Sequence, residues 1–172
     1  GEDGKCLQEF GWEEVPDNHV GFESLRDVGV GKDGSFIVLC ANKYLDNEII
    51  LFDSSTAFVR CIPHSEFCDE SMFPCGIAMG VNGDLFITCR THLHGYDDDS
   101  GSEGEWESEK YQVVRMSSSC IRSGGGHSEV VFERVLAPDV DGWDSLWSGG
   151  VAVSAAGQVF VAWDGTKLMM LE

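Results

Sequence analysis

The chain has 172 residues and a mass of 18.8 kDa, which is long enough for one domain with a buried core. A hydrophobic fraction of 42% with 21 Gly indicates a globular, turn-rich all-β protein and excludes a disordered chain. The 30 acidic and 11 basic residues give a net charge of −19, which argues against nucleic acid and anionic lipid surfaces as partners. Because no apolar run approaches the roughly 20 residues that span a bilayer, we also expect no membrane insertion.

The elements predicted along the chain are short strands separated by polar turns. A semi-apolar segment at 5–10 precedes them, and a single helical turn is possible at 65–72; no other helix is predicted. The strands share alternating apolar positions and β-branched or aromatic residues, and they lie near 25–30, 35–41, 48–53, 57–62, 75–79, 84–89, 110–116, 129–136, 149–153, 158–163 and 167–171.

The same phrase occurs three times in this series of strands. Each copy has a turn glycine, at Gly34, Gly83 or Gly157, with an apolar run on either side of it. The apolar residue six positions before the glycine is Val28, Ile77 or Val151. Aligned copies of this kind indicate an internal repeat, and tandem antiparallel units of four strands are typical of propeller blades.

The third copy, Gly-Val-Ala-Val-Ser-Ala-Ala-Gly-Gln-Val-Phe-Val-Ala-Trp-Asp-Gly at 150–165, carries a family resemblance. It resembles blades of the NHL-repeat and gluconolactonase-like (senescence-marker-protein-like) six-bladed β-propellers. The resemblance implies an all-β domain of about three four-stranded antiparallel blades. We place these blades at 25–62, 75–136 and 149–172, and we interpret the polar stretches 97–109 and 117–128 as surface insertions.

The third predicted blade is one strand short. In propellers an N-terminal strand often completes the last blade, so we expect 5–10 to take that place. Three blades do not readily close a ring, and exposed blade faces mark an interface. We therefore expect the arc to be completed by a second copy or by a different protein subunit, unless the chain is a fragment of a longer propeller.

The resemblance also bears on activity. The lactonase-like family holds a divalent metal in the central channel through an Asn and an Asp that stand just before the glycine opening a blade. The matching positions here are Cys75 and Gly149, neither of which supplies a hard oxygen ligand. We therefore expect a non-catalytic acidic module for protein binding or assembly, acting as an interaction subunit or scaffold. A metal-dependent lactonase-like hydrolase and a carbohydrate-binding propeller lectin are the alternatives.

No catalytic or cofactor-binding residue is predicted, but two loops carry candidate binding residues. Asp139, Asp141 and Asp144 are closely spaced carboxylates and are the candidates for a calcium site, although they fall short of an EF-hand loop. The candidates for partner binding are aromatic or acidic residues of the same and the preceding loop: Trp106, Asp97, Asp98, Asp99, Trp143 and Trp147.

The seven cysteines leave at least one thiol unpaired within the chain. Cys40 and Cys89 occupy the same position of the repeat, six residues after the turn glycine, which indicates a packing role. Cys61, Cys68 and Cys75 lie in one connecting segment and could hold a disulfide. We expect a soluble chain and, because it begins at Gly1 without Met, a processed one from which any targeting peptide has been removed; the sequence does not identify its compartment.

Overall fold

The computed structural model describes residues 24–41, 47–91, 109–124, 128–136, 149–163 and 167–171. These residues form three antiparallel sheets, within which the strands follow chain order. Sheet 1 contains β1 (Leu25–Val30), β2 (Phe36–Ala41), β3 (Asn47–Phe52) and β4 (Phe58–Pro63). Sheet 2 contains β5 (Met72–Met79), β6 (Leu85–Thr91), β7 (Glu109–Met116) and β8 (Glu129–Leu136). Sheet 3 contains β9 (Val151–Val153), β10 (Val159–Trp163) and β11 (Lys167–Leu171).

The same tight turn joins the first two strands of every sheet. The turn glycines Gly34, Gly83 and Gly157 have φ angles of 82°, 84° and 86°, a conformation that a residue with a Cβ adopts only with strain. In each turn the glycine N–H donates to the carbonyl oxygen three residues earlier, at 2.9 to 3.0 Å. The three turns predicted from the repeat are therefore confirmed.

The three sheets stack as consecutive blades of a β-propeller. Their first strands lie side by side, β1 against β5 and β5 against β9. One face of sheet 2 packs on sheet 1 through residues such as Ile87 and Leu39, and the opposite face packs on sheet 3 through Val113 and Val161. The fold is therefore all-β, built from antiparallel blades whose strands alternate between two interfaces.

A short helix corrects the prediction that 117–128 is only a polar surface insertion and that this part of the chain has no helix. Helix α1 (Ser118–Ser123) begins after Ser117, whose hydroxyl accepts a hydrogen bond from the Cys120 N–H. Its residue Ile121 is buried in the core between sheets 1 and 2. Arg60 on β4 donates to the Cys120 carbonyl at 2.7 Å and therefore anchors the helix to sheet 1. Tertiary contacts outweigh the polar composition of this segment.

The connection between sheets 1 and 2 contains a 3₁₀ helix, His64–Glu66, in the region where one helical turn was predicted. The N-terminal segment 5–10, expected to complete the third blade, lies outside the described residues. Of the strands that the structure describes, none pairs with the outer edge of β11. No helix in the described ranges has the length and apolar character needed to cross a bilayer.

Candidate functional site

The residues that the sequence predicted for binding all lie outside the part of the chain that the structure describes. This applies to the calcium candidates Asp139, Asp141 and Asp144 and to the partner-binding candidates Trp106, Asp97, Asp98, Asp99, Trp143 and Trp147. Both assignments remain predictions. Within the described ranges, no three His, Cys, Asp or Glu side chains are grouped closely enough to hold a metal ion.

The two positions that match the metal ligands of the lactonase-like family lie against each other where sheets 2 and 3 meet. A Cβ built on Gly149 would overlap the Cβ of Cys75, so no larger side chain fits there without a backbone shift. The Thr88 hydroxyl donates to the Gly149 carbonyl oxygen, and the Cys75 thiol donates to the Phe73 carbonyl oxygen at 3.5 Å. These contacts use both positions for packing between blades.

In the first repeat, Asp27 occupies the position that Gly76 and Gly150 occupy in the second and third repeats. Asp27 Oδ2 accepts a hydrogen bond from the Ile77 N–H at 2.8 Å, across the gap between β1 and β5. The neighbouring Arg26 donates to the Pro74 carbonyl oxygen at 3.4 Å. Side chains of β1 therefore bond to backbone groups of β5 and fasten the first blade to the second.

The outer face of sheet 3, defined as the face turned away from sheet 2, is apolar and uncovered. Leu168 is 70% exposed and Met170 is 48% exposed. The strand register places both on the same face as the half-buried Phe160, because Phe160 pairs with Met170 and Ala162 with Leu168. Ala152, opposite Phe160 on β9, also lies on this face, so its five strand side chains are apolar. At its margin the Gln158 side chain donates to Met170 Sδ at 3.3 Å.

Two free thiols lie at the same hydrophobic cluster: Cys68 in the segment between sheets 1 and 2, and Cys89 on strand β6. Cys68 follows the 3₁₀ helix, and its N–H donates to the His64 carbonyl oxygen at 2.9 Å. Cys89 lies on β6 and is only 1% exposed, whereas Cys68 is half-buried at the edge of the same core. Cys68 packs against the hydrophobic cluster that contains Cys89.

These contacts make the two thiols chemically unequal. The hydrogen bonds from Cys89 and His64 lower the pKa of the Cys68 thiol to about 6, although burial acts in the opposite direction. The same hydrogen bond, reinforced by burial, raises the pKa of Cys89 well above its ordinary value. The pKa values of the two thiols are therefore shifted in opposite directions.

The sequence left open a disulfide among Cys61, Cys68 and Cys75, and in the structure all three are free thiols. Cys61 donates to Glu48 Oε2 at 3.0 Å, and Cys75 donates to Phe73, while Cys68 faces Cys89. Regular spacing in sequence did not bring these thiols together because each lies in a different local structure. The packing role predicted for Cys40 and Cys89 is confirmed, since both are buried in hydrophobic clusters.

Sequence reasoning missed the contact between Cys68 and Cys89. The hairpin of β5 and β6 gives no signal for it, because Met72 pairs with Thr91 and the antiparallel register before Met72 leads away from Cys89.

Comparison of the chain with protein-family models gives no match, and comparison with curated proteins gives none either. Among solved structures, the chain is similar to hydrazine synthase of Kuenenia stuttgartiensis, with 12% sequence identity and a TM-score of 0.49. The alignment covers 84% of this chain and 39% of that chain. A likeness at this level carries no functional argument. Membership of the NHL-repeat or lactonase-like family remains a prediction.

Proposed function

We propose that this chain is a non-catalytic, acidic β-propeller module that binds another protein, with the outer face of sheet 3 as its docking surface. The observation that carries the proposal is the exposure of Leu168 and Met170 on a face whose strand side chains are apolar and whose margin carries Gln158. In a propeller, such a face is covered by the next blade.

The energetics favour an occupant for this face. Burying apolar surface contributes about 25 cal/mol per Å², so covering two large side chains and their neighbours supplies several kcal/mol toward association. The outer edge of β11, which pairs with none of the described strands, adjoins the face and offers backbone hydrogen bonds to an added strand. A partner that presents a β-sheet would satisfy both requirements.

The charge of the chain supports a protein as the partner. A net charge of −19 repels phosphate backbones and anionic headgroups but does not hinder contact through an apolar surface. Docking by a second copy would bring two strongly acidic chains together, so we expect such association to strengthen as salt screens the repulsion.

Light scattering over a wide concentration range, at low and high salt, tests the proposal. We compare the wild-type chain with a Leu168→Glu and Met170→Glu double variant, and with Val81→Glu as control, since Val81 is 46% exposed on a turn of sheet 2. Association of the wild type and of the control, but not of the double variant, supports docking by a second copy at this face.

Binding of a hydrophobic dye distinguishes the remaining cases. A monomeric wild type that binds the dye, and loses it in the double variant, supports a different protein as the occupant. A monomeric wild type that binds no dye would contradict the proposal, because the face would then be covered within the chain itself.

A further inference from the structure

The first strand of sheet 1 carries a stripe of exposed apolar side chains. Leu25, Val28 and Val30 are 62%, 58% and 65% exposed. Each pairs with a residue of β2 in the hydrophobic cluster on the outer face of sheet 1, so all three lie on that face, turned away from sheet 2. We call these three residues the β1 stripe. The cluster residues of β2 and β3 on the same face are largely buried, so the β1 stripe is its exposed part.

The repeat shows what the β1 stripe does in a blade that has a preceding neighbour. Counted back from the turn glycine, the stripe corresponds to Pro74, Ile77 and Met79 of β5. Ile77 is 2% exposed in the core between sheets 1 and 2, and Met79 packs against that core. On β9 the equivalents Val151 and Val153 pack against the cluster between sheets 2 and 3. At both interfaces these positions therefore contact the preceding sheet.

The outer face of sheet 3 carries the other half of the same interface. By repeat position and strand pairing, Phe160 and Leu168 correspond to Phe86 and Val113 of sheet 2. Val113 is 2% exposed in the cluster between sheets 2 and 3, and Phe86 packs against this cluster. At the equivalent position of sheet 3, Leu168 is 70% exposed. Residues that a following blade covers in sheet 2 are thus open in sheet 3.

The first strands of the blades approach each other at a small residue. Gly29 of β1 and Ala78 of β5 both stand five residues before the turn glycine, and both are buried. A Cβ built on Gly29 would lie 3.5 Å from the Met79 backbone nitrogen, so β5 passes directly over this position. Ala152 holds the same position on β9 and is exposed. The outer face of sheet 3 therefore has room for one more first strand.

We propose that the chain associates head to tail with a second copy of itself, in which the β1 stripe of one copy covers the outer face of sheet 3 of the other. A second copy fits because its β1 stripe holds the positions that cover the corresponding face at both interfaces within the chain. The contact uses the docking surface already proposed, so it rests on that proposed function. Since the two surfaces differ, such association closes a ring or continues as a filament.

Complementation between two double variants tests the polarity of this contact. The face variant is Leu168→Glu with Met170→Glu, and the stripe variant is Val28→Glu with Val30→Glu. All four positions are exposed, so we expect both variants to fold. Light scattering is measured at high salt, because the net charge of −19 on each copy opposes association at low salt.

Each variant alone should remain monomeric where the wild type associates, because every contact would contain one altered surface. In an equimolar mixture, one contact joins an unaltered β1 stripe to an unaltered face. The mass should therefore rise to twice that of one chain and stop there, since the remaining two surfaces are both altered. Val81→Glu is the control for added charge and should associate as the wild type does.

Association of the stripe variant to the extent of the wild type would overturn the head-to-tail contact but not the docking surface, because sheet 3 would then meet itself. A mixture that stays monomeric where the wild type associates would also overturn it. So would a wild type that is monomeric at every concentration, and dye binding then decides separately whether the docking surface stands. If circular dichroism shows that the stripe variant is unfolded, Leu25→Glu at the start of β1 takes its place.

Discussion

The two ends of the blade stack are built alike but end differently. The outer face of sheet 1, turned away from sheet 2, carries Val38, Cys40, Ile50 and Phe52, all of them buried. The outer face of sheet 3 carries an equally apolar set with Leu168 and Met170 exposed. Alternation makes both faces apolar, but alternation does not reveal whether a face is covered. The difference is one of exposure: on β2 and β3 the apolar outer face of sheet 1 is buried, and that of sheet 3 is partly exposed.

The largest difference expected between the two ends is in the free energy of unfolding when one large apolar side chain is removed from the outer face of sheet 1 or of sheet 3. Phe52 is 0% exposed, stacks on Phe36 with ring centroids 4.9 Å apart, and meets Phe58 edge to face. We expect Phe52→Ala to lower the free energy of unfolding by about 3–5 kcal/mol. Leu168→Ala at the exposed end is the matched control and should change it by no more than about 0.5 kcal/mol.

Urea unfolding followed by tryptophan fluorescence measures both variants. Similar small losses in the two variants would show that the outer face of sheet 1 is not packed in solution. A large loss in Leu168→Ala would show that the outer face of sheet 3 is covered.

Thiol reactivity gives a second view of the buried end. Burial, and to a lesser extent Glu48, raise the pKa of Cys40 to about 12, whereas Cys68 is held at about 6 by Cys89 and His64 against the opposing effects of burial and Asp69. At pH 8 we expect Cys68 to react with iodoacetamide about a thousandfold faster than Cys40, since few Cys40 thiols are ionised.

The alkylation rates of Cys68 and Cys40 should also depend differently on pH. The Cys68 rate should rise between pH 5 and 7 and then level off, because the thiolate is fully formed above its pKa. The Cys40 rate should continue to rise beyond pH 9. Quenched labelling with peptide mapping measures both profiles, and equal rates at pH 8 would contradict burial of the sheet 1 face.

The smallest difference concerns the turn glycines at the two ends. Both have positive φ, so alanine at either position costs about 1 kcal/mol in backbone strain. A Cβ on Gly34 would also stand 3.2 Å from the Cβ of Ser54, whereas one on Gly157 meets nothing within 4 Å. Gly34→Ala should therefore destabilise more than Gly157→Ala in thermal unfolding. The reverse order would show that these turns are not equivalent.

Much of this fold could be predicted because its signals are local. A turn at Gly34, Gly83 and Gly157 needs only the glycine and the apolar runs beside it, and strand β8 has the bounds that alternation predicted. Helix α1 could not be predicted in this way. Its one buried residue is Ile121, and it is held by a hydrogen bond from Arg60 of sheet 1, which lies 60 residues before Cys120 in the sequence.

The candidate sites were less predictable for the same reason. The lowered pKa of Cys68 depends on Cys89 from another strand, and the exposure of Leu168 depends on what lies outside sheet 3. Neither property belongs to the residue itself. Alternation in the sequence identifies which residues face inward, but a site is defined by the residues of other elements that contact them.

Sheet 2 is the one described sheet with a neighbouring described sheet against each face. Its backbone amides can therefore exchange with solvent deuterium only when two interfaces open together, whereas those of β11 require only local fraying at an edge. Hydrogen exchange should accordingly run as a gradient, slowest in β6 and fastest in β11. We therefore expect the third blade to open first and the middle blade to unfold last.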